Sequence, residues 1–235
     1  MSVIEILIAM YSSVDLDLIK NHDSSRSRVV ISKGHCAAAT YAVLSEFELL
    51  PKKLLEDYHK DNSFLAGHVS HMVPFVEHST GALGHGINVA VGCAIGLRSR
   101  GFNNSKVLTL VGDGEIQEGS VWEALMLAGH MQLPNFVLLV DNNQISSICR
   151  TREVINLEPF SSKFEAFGLL TYEVDGHSIE KICAAIGKIG LSSRPGVVIC
   201  NTIKGKGIKF AENDPEWHYR KLNHDLLTQA LADLA

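Results

Sequence analysis

No two of the five cysteines (Cys36, Cys93, Cys149, Cys183 and Cys200) are spaced as C-x-x-C, and their number is odd. That leaves no zinc pattern and no disulfide framework. The thiols read as free in a reducing compartment, which makes the cytoplasm the expected location. The 21 Lys and Arg, against 26 Asp and Glu, are scattered without a basic cluster, and the formal net charge is −5. A nucleic-acid face and a polyanion as main partner are therefore not expected. The apolar opening Val3-Ile4-Glu5-Ile6-Leu7-Ile8 is broken by Glu5 and follows no basic segment, so it reads as a helix and not as a signal peptide or membrane span. The first βα turn lacks G-x-G-x-x-G and no G-x-x-x-x-G-K-[ST] occurs, which disfavours a nucleotide-binding Rossmann or P-loop domain. No repeat, low-complexity tract or linker interrupts the 235 residues.

What is present is an ordinary globular balance, 46% apolar and 20% charged, with enough length to bury one substantial core. Two β-rich runs, 107–111 and 136–140, are apolar almost throughout and stop abruptly, as buried strands of a parallel sheet do. Residues 29–31, 169–174 and 196–201 are further strand candidates. Helices are expected at 2–11, where Ile4, Leu7, Ile8 and Tyr11 form a stripe, and at 37–47, 87–97, 118–131, 178–190 and 223–234. Pro51 is placed to start another at its first turn. The stretch 61–79, rich in His, Ser and Asn, reads as irregular, and connections of that length are usually functional or mobile. Helices alternating with buried strands predict a single α/β domain over 1–235, a parallel sheet flanked by helices.

The first strong run ends in Gly112-Asp113-Gly114-Glu115, and the second continues into Asp141-Asn142-Asn143. Ligand crevices lie outside the carboxyl ends of parallel strands, so a carboxylate and an amide oxygen reach one crevice from neighbouring strands. Glycines on both sides of Asp113 let the backbone approach a bulky ligand. A carboxylate plus a carbonyl oxygen is the set Mg²⁺ prefers when a phosphorylated ligand completes its shell. The pair reads as a metal–diphosphate anchor. Four features join it. Ser32-Lys33-Gly34-His35 follows a strand and opens a helix, where amides can hold an anion. Thr80-Gly81-Ala82-Leu83-Gly84-His85-Gly86 is a second glycine-rich helix start, Gly67-His68 lies in the irregular stretch, and Lys204-Gly205-Lys206-Gly207 follows the last strand, ahead of Trp217-His218. Singly, each has an ordinary alternative: a histidine is more often structural, the lysines can be a solvated loop, and Asp113 can be an Asx-turn residue bonding its own backbone. Jointly, at the strand ends of one sheet, they would surround one ligand with a metal, cations and imidazoles.

The series resembles the transketolase family. Gly112-Asp113-Gly114 through Asn142-Asn143 is similar to the thiamine diphosphate signature of the wider superfamily. Ser32-Lys33-Gly34-His35, Gly67-His68, the segment from Val76 to Gly86, the segment from Gly112 to Gly119, and Lys204-Gly205-Lys206-Gly207 with Trp217-His218 follow the family's order over nearly the whole chain. The likeness is closest to split transketolases, whose diphosphate-binding domain is a separate N-terminal subunit. It implies a thiamine-diphosphate-binding (PP-domain) fold and a transferase that uses thiamine diphosphate and Mg²⁺ to move a two-carbon ketol unit from a ketose to an aldose. By the same resemblance, Asp113, Asn143 and the backbone carbonyl of Ile145 would hold Mg²⁺. Gly81, Ala82, Leu83 and Gly114 would line the cofactor, with Leu83 against its rings. His35, Lys204 and His218 would approach the diphosphate, His35 and His218 would also face the reacting carbon, and His68 would contact substrate hydroxyls. Glu118 would lie at the dimer interface.

The family's activating glutamate belongs to a pyrimidine-binding domain, and the 17 residues after His218 are too few for one. The resemblance thus implies a partner subunit of the C-terminal transketolase type carrying that glutamate, an α₂β₂ assembly, and sugar phosphates as substrates. A Gly-His-Pro-type segment of the family would fall ahead of Met1. Val69 stands where Pro is common, Phe75 where Gly is usual, Ser146-Ser147-Ile148-Cys149-Arg150 where Asp-Gly is usual, and Tyr219 in place of a glycine. These departures leave the cofactor residues nearly intact. Two other functions share the acidic signature. A 2-oxo-acid dehydrogenase E1 α-type subunit is disfavoured by the Ser-Lys-Gly-His and Lys-Gly-Lys-Gly…Trp-His features. A non-catalytic relative acting as scaffold or regulator has no need of an intact Asp113 and Asn143.

Overall fold

The computed structural model describes residues 1–235. Five strands, β1 (Arg28–Ile31), β2 (Val107–Gly112), β3 (Phe136–Asn142), β4 (Leu170–Asp175) and β5 (Gly196–Asn201), make one parallel sheet in the order β1-β2-β3-β5-β4. Every residue of β2 and β3 is buried, because both faces of the sheet are covered by helices. The pleat sorts the strand residues into two cores. Val29, Ile31, Leu108, Leu110, Val137 and Leu139 pack with α1 (Ile4–Ser12), α3 (Ala37–Glu46) and α8 (Ile179–Gly190). Val30, Val111, Leu138, Val140, Val197 and Ile199 pack with α4 (Gly86–Ser99), α5 (Gly119–His130) and α7 (Phe160–Ala166). Burying each such Val, Leu or Ile is worth about 1.5–3 kcal/mol, so the alternation along β2 and β3 sets the register of the sheet.

The expected strands and long helices are all present. Three short helices, α2 (Leu16–Lys20), α6 (Thr151–Val154) and α7, were not expected. None spans the eleven or so residues over which a helical stripe shows itself. α9 (His224–Leu234) closes the chain. The helix expected at Pro51 is a 3₁₀ segment, Lys52–Asp57. No helix is long and apolar enough to cross a membrane.

Residues 61–79 contain no helix or strand, yet they are pinned to the end of β1. The Tyr41 hydroxyl donates to the His68 carbonyl (3.1 Å), the Val69 amide to the Gly34 carbonyl (3.1 Å), and the Thr80 hydroxyl to the Ile31 carbonyl (2.7 Å). Glycines make this crowding possible. A Cβ at Gly34 would lie 2.8 Å from the Thr80 carbonyl oxygen, and one at Gly86 would lie 2.6 Å from Ser32 Cα. Both contacts are with backbone, which cannot swing aside. Gly86→Ala is therefore expected to lower stability by about 1–3 kcal/mol, measured by urea unfolding. A variant as stable as the parent would show that the Ser32 turn is free to move.

Candidate active site

Two buried carboxylates organise the carboxyl end of the sheet. Asp141, in β3, is fully buried. It accepts hydrogen bonds from Ser2 Oγ (2.8 Å), Asn143 Nδ2 (2.9 Å), the Lys33 ammonium and the Thr202 hydroxyl. Burial works to raise this carboxyl, but Lys33, backed by Thr202 and Ser2, holds it down at about 2. Burial likewise works to lower the Lys33 ammonium, and Asp141 overrides it and keeps it above its usual value. The pair is thus charged, and it joins the turns after β1, β3 and β5. Glu115, after β2, accepts from the Gly84 amide (2.9 Å), the Gly112 amide (3.3 Å) and the Ser32 hydroxyl. Ser32 Oγ in turn accepts from the Ile87 amide at 3.1 Å. Burial raises the Glu115 carboxyl against these donors.

The two glycine-rich helix starts give only part of their amides to the protein: those of His35, Gly81, Ala82, Leu83, His85 and Gly86 donate to no protein acceptor. The Ser32 and Lys33 amides both bond the Leu110 carbonyl (2.9 and 3.1 Å), and the Gly34 and Cys36 amides close a 3₁₀ turn, Gly34–Cys36, ahead of α3. The Gly84 and Ile87 amides are taken by Glu115 and Ser32. Both turns thus use some of their donors to hold the frame together.

Around that frame lies a cavity of about 470 Å³. His35, His68, Leu83, Asp113, Gly114, Glu118, Ile145, Lys204 and His218 line it. Gly81, Ala82 and Asn143 do not. Gly81 and Ala82 are exposed beside it, and a Cβ at Gly81 would meet only the His68 ring, at 3.9 Å. Asn143 is buried, with its Oδ1 accepting from the Ile145 amide at 3.0 Å.

Asp113 is 2% exposed. Its Oδ1 accepts the Gly114 amide (2.7 Å), so the Asx-type alternative describes its local bonding, and its Oδ2 accepts the amide of Gln144, which adopts φ 62°. That second bond ties the end of β2 to the end of β3. Each carboxylate oxygen keeps a further acceptor site. Burial pushes Asp113 up to about 6, with Lys33 opposing and Asp141 adding to the rise. The Ile145 carbonyl, in a residue 4% exposed, accepts no hydrogen bond. No group of three His, Cys, Asp or Glu side chains is arranged to hold a metal. A desolvated carboxylate, an amide oxygen and an orphaned carbonyl instead match the mixed, hard-oxygen set that Mg²⁺ takes together with phosphate oxygens.

The opposite wall is cationic and imidazole-rich. Lys204 Nζ lies 3.1 Å from His218 Nδ1, and the His35 and His218 ring centroids are 5.4 Å apart. Although the His35 ring opens onto the cavity, desolvation by the surrounding walls, then Lys33, His218 and Lys204, lower it to about 3. Desolvation and Lys204 lower His218 to about 4. Burial, then Lys33, also lowers Lys204. At neutral pH the cavity therefore offers cationic lysine at one place and uncharged imidazoles beside it. Reading the sequence alone missed the roles of Lys33, Asp141, Glu115 and Thr202. The available signal was a charged residue closing an apolar strand, Asp141, with a lone lysine after another.

The sequence matches the family described as "Transketolase, thiamine diphosphate binding domain" over residues 1–234. It is 38% identical to an apulose-4-phosphate transketolase subunit of Actinobacillus succinogenes, over 100% of this chain and 85% of that relative. It is 34% identical to a 6-deoxy-6-sulfo-D-fructose transketolase subunit of a Clostridium species, over 100% and 86%. The solved transketolase of Campylobacter jejuni superposes with a TM-score of 0.80 at 26% identity, over 99% of this chain and 41% of that one. A Pichia stipitis transketolase in complex with sedoheptulose 7-phosphate gives 0.83 at 28%, over 96% and 35%. The chain thus spans well under half the length of these solved proteins.

Removing Asp141 would strand the Lys33 charge in the interior, so Asp141→Ala is expected to cost about 3–5 kcal/mol in chemical unfolding. A second expectation concerns acid. His35 and His218 titrate below their ordinary 6.5 in the folded chain, so below that pH the unfolded chain binds protons the folded chain refuses. Stability attributable to them falls as pH drops from 6.5 toward 4. The double variant His35→Gln/His218→Gln should show a shallower decline over that window. An unchanged slope would contradict the assignment.

Proposed function

The chain belongs to the transketolase family, in its thiamine diphosphate binding domain, and we propose that it is the N-terminal subunit of a split transketolase that transfers a two-carbon ketol unit. The donor would be a ketose or ketose phosphate, the acceptor an aldose or aldose phosphate, and the cofactors thiamine diphosphate and Mg²⁺. One observation carries this: a single cavity brings together Asp113, the orphaned Ile145 carbonyl, Leu83, Lys204 and three histidines. The names of the two relatives each give an anionic ketose, which supports an anionic donor here.

Thiamine diphosphate, when bound, supplies the electron sink for breaking a carbon–carbon bond. Asp113, Asn143 Oδ1 and the Ile145 carbonyl would hold Mg²⁺, while Gly81, Ala82, Leu83 and Gly114 border the cofactor. Lys204 places positive charge where the diphosphate would lie. By donating to His218 Nδ1 it leaves that ring's proton on Nε2. His35 and His218, uncharged at pH 7, can accept a proton from a sugar hydroxyl and return it. His68, exposed on its pinned loop, is positioned to bond substrate hydroxyls.

The mouth of the cavity supports a partner. Leu83 is 38% exposed, Val154 47% and Ile148 80%, an apolar rim around a polar interior. A C-terminal transketolase-type subunit, carrying the activating glutamate and assembled as α₂β₂, would cover it, with Glu118 at the cavity edge in the interface. The test is calorimetric titration with thiamine diphosphate, with and without Mg²⁺, of the chain alone and mixed with the protein encoded beside it. Binding should need Mg²⁺, tighten with the partner and vanish in Asp113→Ala, and Lys204→Ala should weaken it at least about tenfold, the equivalent of 1.4 kcal/mol. No binding in the presence of an assembled partner would overturn the proposal and point to a non-catalytic relative.

A further inference from the structure

Glu5 breaks the apolar opening of the chain, and the fold gives that interruption a partner. From α1, its Oε1 lies 3.2 Å from Nδ1 of His177, in the turn between β4 and α8. The two side chains are largely buried, 25% and 15% exposed, so water does little to serve them. Glu5 Oε2 and His177 Nδ1 are inaccessible and complete no hydrogen bond. The other ring nitrogen is engaged: His177 Nε2 accepts the Ile203 amide at 2.8 Å. Ile203 directly precedes Lys204, the cation of the cofactor cavity.

Both sides of this contact are fixed. In the turn that carries His177, the Gly176 amide donates to the Asn201 carbonyl (2.8 Å), the His177 amide to Asp175 Oδ1 (3.0 Å) and the Ser178 amide to the Asp175 carbonyl (3.2 Å). After β5, Thr202 is tied to β3, its amide donating to the Asn142 carbonyl (3.2 Å) and its hydroxyl to Asp141. The chain then leaves the sheet. The Lys204 amide donates to no protein acceptor, and the Lys204 carbonyl accepts the Asn213 amide (2.9 Å) from within the same loop. His177 is thus the tie that joins the backbone next to Lys204 to the rest of the fold. A neutral imidazole that accepts at Nε2 carries its one proton on Nδ1, here the nitrogen that faces Glu5. A carboxyl oxygen in that place favours the tautomer the Ile203 amide requires.

We infer that His177 is a positioning residue for Lys204: by holding the Ile203 amide on Nε2, it sets where the Lys204 ammonium stands beside His218. That Lys204 meets a diphosphate rests on the function proposed above; that His177 places Lys204 does not. Lys204 Nζ lies 3.1 Å from His218 Nδ1, so His218 reports the position of the lysine in the chain without cofactor. Desolvation, then Lys204 and Lys33, keep the His218 imidazole low. Moving the Lys204 charge away would raise it.

The test begins with nitrogen NMR of the ring nitrogens in the full chain at pH 7, without cofactor. His177 should show an unprotonated Nε2 and a protonated Nδ1, and the reverse tautomer would overturn the inference. This reading is made on the parent, so it stands even where a variant fails to fold. In a proton NMR titration, His177→Leu should raise the His218 midpoint by roughly half a pH unit or more. His177→Gln, whose amide oxygen can still accept from Ile203, should keep the parent's midpoint. A Leu variant with the parent's midpoint, or a Gln variant shifted as far as the Leu one, would show that Nε2 does not place the lysine. Calorimetry with thiamine diphosphate and Mg²⁺ then separates this inference from the cofactor reading. His177→Leu should bind at least about threefold more weakly than the parent, with His177→Gln restoring the affinity. Weak binding by Lys204→Ala alone, with His177→Leu as tight as the parent, would overturn the positioning role. Unchanged binding by Lys204→Ala, alongside a shifted His218 midpoint in His177→Leu, would support the positioning and overturn the diphosphate contact.

Discussion

The ion pair between Lys33 and Asp141 is the constraint on which the carboxyl end of the sheet depends. Neither group survives alone in an interior position, because an isolated buried charge is far costlier than a paired one. Asp141 must therefore be met by Lys33, and its remaining acceptor sites by Ser2, Asn143 and Thr202. Each of those donors comes from a different part of the chain. Satisfying one carboxylate consequently sets the relative positions of the N-terminus and the turns after three strands. Asn143 is held by this arrangement, which turns its Oδ1 toward the Ile145 segment.

Glu115 does the equivalent work on the other side of β2. It gathers the Ser32 hydroxyl and the Gly84 and Gly112 amides, and so clamps the two glycine-rich turns together. Gly34 and Gly86 allow backbones to approach where any side chain would collide. With these donors engaged inside the frame, the cavity is lined by Asp113, Ile145, Lys204 and the imidazoles, together with Gln117, Glu118, Ser146, Ser147 and Tyr219. The displaced pKa values of Asp113, Lys204, His35 and His218 share one leading cause, desolvation by the frame. A carboxyl raised by burial welcomes a cation, and imidazoles kept neutral beside lysine leave the positive charge concentrated where an anion is to sit.

The sequence by itself determined the architecture and the order of the chemistry. Apolar runs such as 107–111 and 136–140, too short for helices and closed by turn residues, read as strands buried on both faces, and a residue following such a strand in a parallel sheet falls at the crevice. That local logic placed Asp113 and Asn143, and the family resemblance added His35, His68, Lys204 and His218. Tertiary structure alone decided what each polar group bonds to. Nothing in the spacing of Lys33 and Asp141, 108 residues apart, says that they pair, because hydrogen-bond partners are chosen by proximity in space. For the same reason the pattern Ser32-Lys33-Gly34-His35 does not say that the Ser32 and Lys33 amides are taken by the Leu110 carbonyl. The short helices α2, α6 and α7 leave no mark in the sequence because too few turns exist for a period to show.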